Sequence, residues 1–186
     1  MTERGVAMKE RKHEEETEIL KQVREWLAEY YQIGKAPGGH DIYHVLRMSA
    51  WAKKIHDGNY PLLWLNLAIW LHNMDSVFPF CDLDEKEINI LISKKLTDLG
   101  LEQDEINFII EAVEKHSQLN RPDDSPLLCD LKDCDKLDIG AMGLWRMASF
   151  RKLSFFDTKG DFLPGDPKEI KSLVNDLQRC LNWKNM

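Results

Sequence analysis

From Leu62 to Leu71 every residue is apolar except Asn66, and Pro61 stands immediately before the run. Ten residues are too few to cross a bilayer, which takes roughly 20. A helix apolar on all sides must instead lie inside a protein, wrapped by other elements. Pro61 suits the start of such a helix, where its missing N–H costs nothing. The rest of the chain therefore has to supply the shell.

The shell is readable as amphipathic helices. Ile19, Leu20, Val23, Trp26, Leu27, Tyr30 and Tyr31 recur at helical spacing from His13 onward, with Lys21, Arg24 and Glu29 facing away. Pro37 and the glycines between Gly34 and Gly39 break that helix. Asp41 then occupies an N-cap position for a helix running toward Ile55, closed by Gly58 and Asn59. Ile88, Leu91, Ile92, Leu96 and Leu99 form a further stripe ending at Gly100, and Ile106, Ile109, Ile110 and Val113 form another. Ser117 to Pro126 has loop chemistry, a helical stretch follows through Asp135 toward Arg151, and the stripe Ile170, Leu173, Val174, Leu177 and Leu181 closes the chain. With no hairpin turn between alternating runs, the expected fold class is all-α: one domain over 13–183, a bundle of six or seven helices, after a solvated tail over 1–12.

Charge and cysteine content remove several function classes. Against 25 Lys and Arg stand 32 Asp and Glu, a net −7 over 186 residues. Such a chain lacks the basic footprint needed to hold a nucleic acid polymer. The cysteines, Cys81, Cys129, Cys134 and Cys180, contain no Cys-x-x-Cys pair and are too sparse for a disulfide scaffold, which fits reduced thiols in a cytoplasmic protein. No membrane partner is expected; a homodimer is compatible with the sequence.

Chemistry is to be sought among the six histidines, since imidazole titrates near neutrality and is the commonest transition-metal ligand. His13 lies in a charged stretch, and His56 precedes the capping Gly58. His44 sits in the first turn of its helix, and His72 ends the buried apolar run, where a carbonyl, a carboxylate or a metal must satisfy the ring. Downstream, Asp133-Cys134-Asp135-Lys136-Leu137-Asp138 sets three carboxylates within six residues. From Arg121 to Asp138 there are six Asp against three Lys or Arg, so the acidity is partly local.

His44, His72-Asn73 and Asp135-Lys136-Leu137-Asp138-Ile139-Gly140-Ala141 together resemble the HD superfamily of metal-dependent phosphohydrolases, whose pattern is H…HD…D on helices. The resemblance runs from about His40 to Arg146. It implies that His44, His72, Asn73 and Asp135 hold one divalent ion (Mn, Fe, Co, Ni, Zn or Mg) and that a metal-activated water attacks phosphorus in a nucleotide or other small phosphorylated metabolite. His40 and Lys136 would then face the substrate; His116 would join them or serve as a cation at the end of its helix, and Arg47 would orient a ligand or substrate or pair with an acidic residue. Asp75, three residues after His72, would act as general base if the helical turn continues. One departure matters. Where the family has Asp, this chain has Asn73, whose neutral oxygen is a weaker ligand and a poor bridge between two metals, so one ion at most is expected. The alternative is a catalytically weakened HD-like module that binds a nucleotide or metabolite as a sensor. A third reading is a helical interaction protein without metal. Other metal-helix classes fit worse: the two Glu-x-x-His pairs that a di-iron bundle needs are not both present, and His13-Glu14 is not completed by a second histidine at Thr17.

Overall fold

The computed structural model describes residues 11–31 and 40–142. The expected C-terminal helix over 170–181 and the continuation toward Arg151 lie outside these residues. Within them the chain is all-α, with six helices: α1 (His13–Leu27), α2 (Ile42–Ile55), α3 (Leu62–Leu71), α4 (Glu85–Asp98), α5 (Gln103–Lys115) and α6 (Pro126–Met142).

Helix α3 is the axis of the fold. Nine of its ten residues, Leu63 to Leu71, are buried, and it packs against α1, α2, α5 and α6. Each large apolar side chain taken fully out of water there contributes about 1.5–3 kcal/mol. The polar interruption, Asn66, donates its amide to the Leu62 carbonyl at 3.1 Å, one turn back on its own helix. Pro61 sits one residue earlier than expected, as the N-cap.

Local chemistry fixes the ends of the other helices. The Asp41 carboxylate accepts from the amides of Tyr43 and His44 at 3.0 and 3.2 Å, as its position suggested. Asp84 and Glu87 form a reciprocal capping box at the start of α4. Gly100 follows α4 with φ +81°, a conformation that favours glycine, while the Leu101 amide returns to the Leu96 carbonyl. Arg11, inside the stretch expected to be a solvated tail, instead places both Nη atoms 2.5 Å from the Glu105 carboxylate on α5.

Two packings position the site. Helices α2 and α6 lie side by side, and α3 ends between them and α5. Tyr31, four residues beyond α1, anchors the end of α3: its buried hydroxyl donates to the Trp70 carbonyl at 2.9 Å.

Away from the site, α6 carries a second acidic feature. The Tyr60 hydroxyl donates to Asp130 at 2.6 Å. Burial, only partly offset by that bond, raises the Asp130 carboxyl from its ordinary value of 3.8 to about 6, with Asp133 adding repulsion. The native state thus holds this proton more tightly than the unfolded chain does. The stabilisation is complete below about pH 4 and is lost as pH rises through about 6. Asp130→Asn, which keeps an acceptor for Tyr60 without the charge, is expected to gain thermal stability over wild type as pH rises from about 4 to about 7. Parallel melting curves for the two proteins across that range would contradict this assignment.

Candidate metal centre and adjoining cavity

His44 leaves the first turn of α2, His72 caps the C-terminus of α3, and Asp135 leaves the middle of α6. One nitrogen from each ring and one Asp135 oxygen all lie within 4.8 Å of one another, a group that could hold a metal ion. The two rings are buried and Asp135 is partly exposed, so the cluster has a protein side and an open side.

Hydrogen bonds fix the tautomers. The His72 Nδ1 donates to the Ile69 carbonyl at 2.7 Å, one turn back on its own helix. The His44 Nδ1 lies 2.7 Å from Asp138 Oδ2 and donates to it. A neutral imidazole that donates through Nδ1 presents a lone pair at Nε2. The two Nε2 atoms are 3.2 Å apart, with Asp135 Oδ1 3.5 Å from that of His44. Two lone pairs cannot bond each other at that distance, and a cation shared between them would relieve their repulsion. Burial, reinforced by the neighbouring imidazoles of His116 and His44, holds His72 well below the ordinary imidazole range, so its lone pair stays available at neutral pH. Imidazole nitrogens fixed from behind, beside a carboxylate, fit a divalent transition ion.

Asn73 presents its nitrogen to the cluster. Its Nδ2 is 2.7 Å from His72 Nε2 and 2.8 Å from His40 Nδ1. Since His72 Nε2 can only accept, the donor side of the amide must face it.

The other predicted residues are distributed around this pair. His40 lies just before the Asp41 cap rather than on the helix, yet its ring stands 5.7 Å from that of His44, edge to face. His116 caps α5, donates Nδ1 to the Val113 carbonyl at 2.6 Å, and stands edge-on to His72 at 5.1 Å. Asp75 is exposed in a 3-10 turn, Met74–Ser76, because the chain leaves helical geometry at Asn73. It nonetheless lines, with His72 and His116, a cavity of about 300 Å³ whose walls include Leu71 and Val113. Lys136 reaches Asn120 in the α5–α6 loop at 2.9 Å. Arg47 is buried and pairs with Asp138: its Nε bonds Oδ1, and its Nη2 bonds Oδ2 at 2.9 Å.

Asp138 is the residue that sequence reasoning left without a role. It joins Arg47 to the back of the His44 ring. The signal was present as two helical spacings, His44/Arg47 and Asp135/Asp138, each three residues apart and therefore on one face.

No protein-family model matches the chain, and no curated protein matches it. Two solved structures are similar. The selenomethionine crystal structure of Bacillus subtilis YpgQ is 22% identical, with a TM-score of 0.51 over 92% of this chain and 82% of that one. The crystal structure of Bacillus subtilis YpgQ in complex with ADP is also 22% identical, with a TM-score of 0.50 over 90% and 84%. These likenesses show a shared fold.

Proposed function

We propose that the chain is a metal-dependent phosphohydrolase of the HD type, acting on a nucleotide or other small phosphorylated metabolite. The observation that carries this reading is the pair of buried Nε2 lone pairs, 3.2 Å apart beside Asp135, each ring fixed from behind. When bound, a divalent ion polarises a phosphoryl oxygen and acidifies water. His44, His72 and Asp135 hold it. Asp138 and the Ile69 carbonyl keep the two rings in the tautomer that ligation requires. Asp75, at the cavity, accepts the proton of the attacking water, and His116 with its ring against His72 meets the phosphate. Lys136 joins them by exchanging Asn120 for a phosphate oxygen. A nucleotide as ligand is supported by the ADP bound in the YpgQ structure of the same fold.

The test is release of phosphate or pyrophosphate from a panel of nucleotides and phosphorylated metabolites. Turnover is expected to require an added divalent ion and to stop on chelation. Turnover indifferent to chelator would overturn the reading.

Asn73 favours one alternative, a nucleotide-binding or metabolite-binding module. Its amide donates to two ring lone pairs, giving them a partner that is not a metal. Asn73→Asp decides between the readings: the enzyme reading expects hydrolysis already in wild type. Hydrolysis that appears only in the variant identifies the natural protein as a binder.

A further inference from the structure

We propose that His40 is a ligand of the metal, taking the place that Asn73 leaves vacant by not being a carboxylate, so that the centre is nitrogen-rich and selects a zinc-like ion over magnesium. The proposal rests on the metal reading above.

It starts from the single nitrogen shared by two rings. Asn73 Nδ2 lies 2.8 Å from His40 Nδ1 and 2.7 Å from His72 Nε2. An amide nitrogen has two hydrogens and no lone pair to offer, so both ring atoms must be acceptors. His40 Nδ1 is therefore a third imidazole lone pair, aimed at the same point as that of His72. The two are bridged by a group with partial positive charge. Asn73 acts as a placeholder for a cation.

The identity of residue 73 agrees with that role. An Asp there would turn an anionic oxygen toward the His72 and His40 lone pairs, an arrangement that is repulsive until a cation intervenes. Asn supplies the positive end itself. When an ion enters, it competes with the Asn73 amide for His72 Nε2, and the amide has to withdraw. His40 Nδ1, which stands outside the group formed by His44, His72 and Asp135, loses its partner in the same step and is released to turn toward the ion. His40 also carries a one-residue link to the Asp41 cap and a ring already packed edge-on to His44, so little rearrangement brings it in.

The resulting set is His40, His44, His72 and Asp135. Three imidazoles and one carboxylate suit Zn, Co, Ni or Fe, whereas Mg demands oxygen ligands. For an ion taking five or six ligands, a position remains for a substrate oxygen on the side where Asp135 is exposed.

The experiment is metal titration of the full chain with Zn²⁺, Co²⁺ and Mg²⁺, following Co²⁺ absorption and competition with a chelator, with helix content matched by circular dichroism. Wild type is expected to take up Zn²⁺ and Co²⁺ in preference to Mg²⁺. His40→Ala is expected to weaken Zn²⁺ binding by about a hundredfold or more, beyond the roughly 10–100-fold typical of a residue outside the coordination shell. Asn73→Ala is expected to leave it unchanged or tighter. His40→Cys is expected to bind Co²⁺ with a thiolate charge-transfer band, which a structural role for residue 40 does not produce. A smaller loss in His40→Ala, absence of that band, or Asn73→Ala binding more weakly than His40→Ala overturns the proposal while leaving the metal reading intact. Wild type that takes up neither Zn²⁺ nor Co²⁺ overturns the metal reading itself.

Discussion

Asp138→Ala is expected to lower the melting temperature by about 6–20 °C. The carboxylate is 2% exposed, Arg47 is 4% exposed and His44 is 3% exposed, so three polar groups share one bonding centre out of water. Removing the carboxylate strips the buried guanidinium of its two bonds to Asp138 and the His44 Nδ1 of its acceptor. Breaking a buried ion pair from one side costs about 3–5 kcal/mol, since the charge left behind has lost that partner. At roughly 2–4 °C per kcal/mol for a chain of this size, that gives the stated range. The converse variant separates charge from packing. Arg47→Met combined with Asp138→Asn removes the cation and keeps an acceptor for His44, and it is expected to recover much of the loss. Thermal melts of the three proteins check the prediction, and an Asp138→Ala variant melting within about 2 °C of wild type would sink it.

That centre also marks the limit of what the sequence disclosed. The apolar run Leu62–Leu71 announced a buried helix because no other environment tolerates it, and the Asp41 cap was legible because capping is local. The convergence of His44, His72 and Asp135 is what the family resemblance implied. The role of Asp138 did not, because it depends on how α2 sits against α6, which side-chain packing decides rather than any local signal. Helical spacing did contain half of it: Asp135 and Asp138 share a face, so if one approached α2 the other had to. For Arg47 two readings stood open, orienting a ligand or substrate and pairing with an acidic residue, and the buried pairing with Asp138 on α6 is the second of them. Asp75 was expected on the helical face of His72, but the chain departs from helix at Asn73, and Asp75 reaches the cavity from a turn instead. Arg11 was invisible for the same reason as Asp138, since its partner Glu105 is distant in sequence and near only in the fold.

The largest effect on activity is expected from His72→Ala and Asp135→Ala, and the two differ in an informative way. His72 is 2% exposed and bonded to its own helix, so its loss also opens a void beneath the end of α3. Asp135 is partly exposed on α6, and its removal relieves an acidic surface without emptying the core. Asp135→Ala is therefore expected to melt near wild type in the absence of metal, whereas His72→Ala melts lower. With metal, both fall short of wild type by the same further increment. A ligand that binds only the native state at a hundred times its dissociation constant stabilises by about 2.7 kcal/mol, and that increment is expected in wild type and absent from both variants. Turnover is expected to fall by about two to three orders of magnitude in each, comparable with losing a principal electrostatic stabiliser of a transition state. The paired measurement is melting temperature against metal concentration alongside phosphate release for the same three proteins. If Asp135→Ala keeps both its metal-induced stabilisation and its turnover, the ion does not sit between these residues. If it keeps the stabilisation and loses turnover, Asp135 acts on substrate or water rather than as a ligand. Only joint loss, with the metal-free melt of Asp135→Ala unchanged, is consistent with ligation by His44, His72 and Asp135 together.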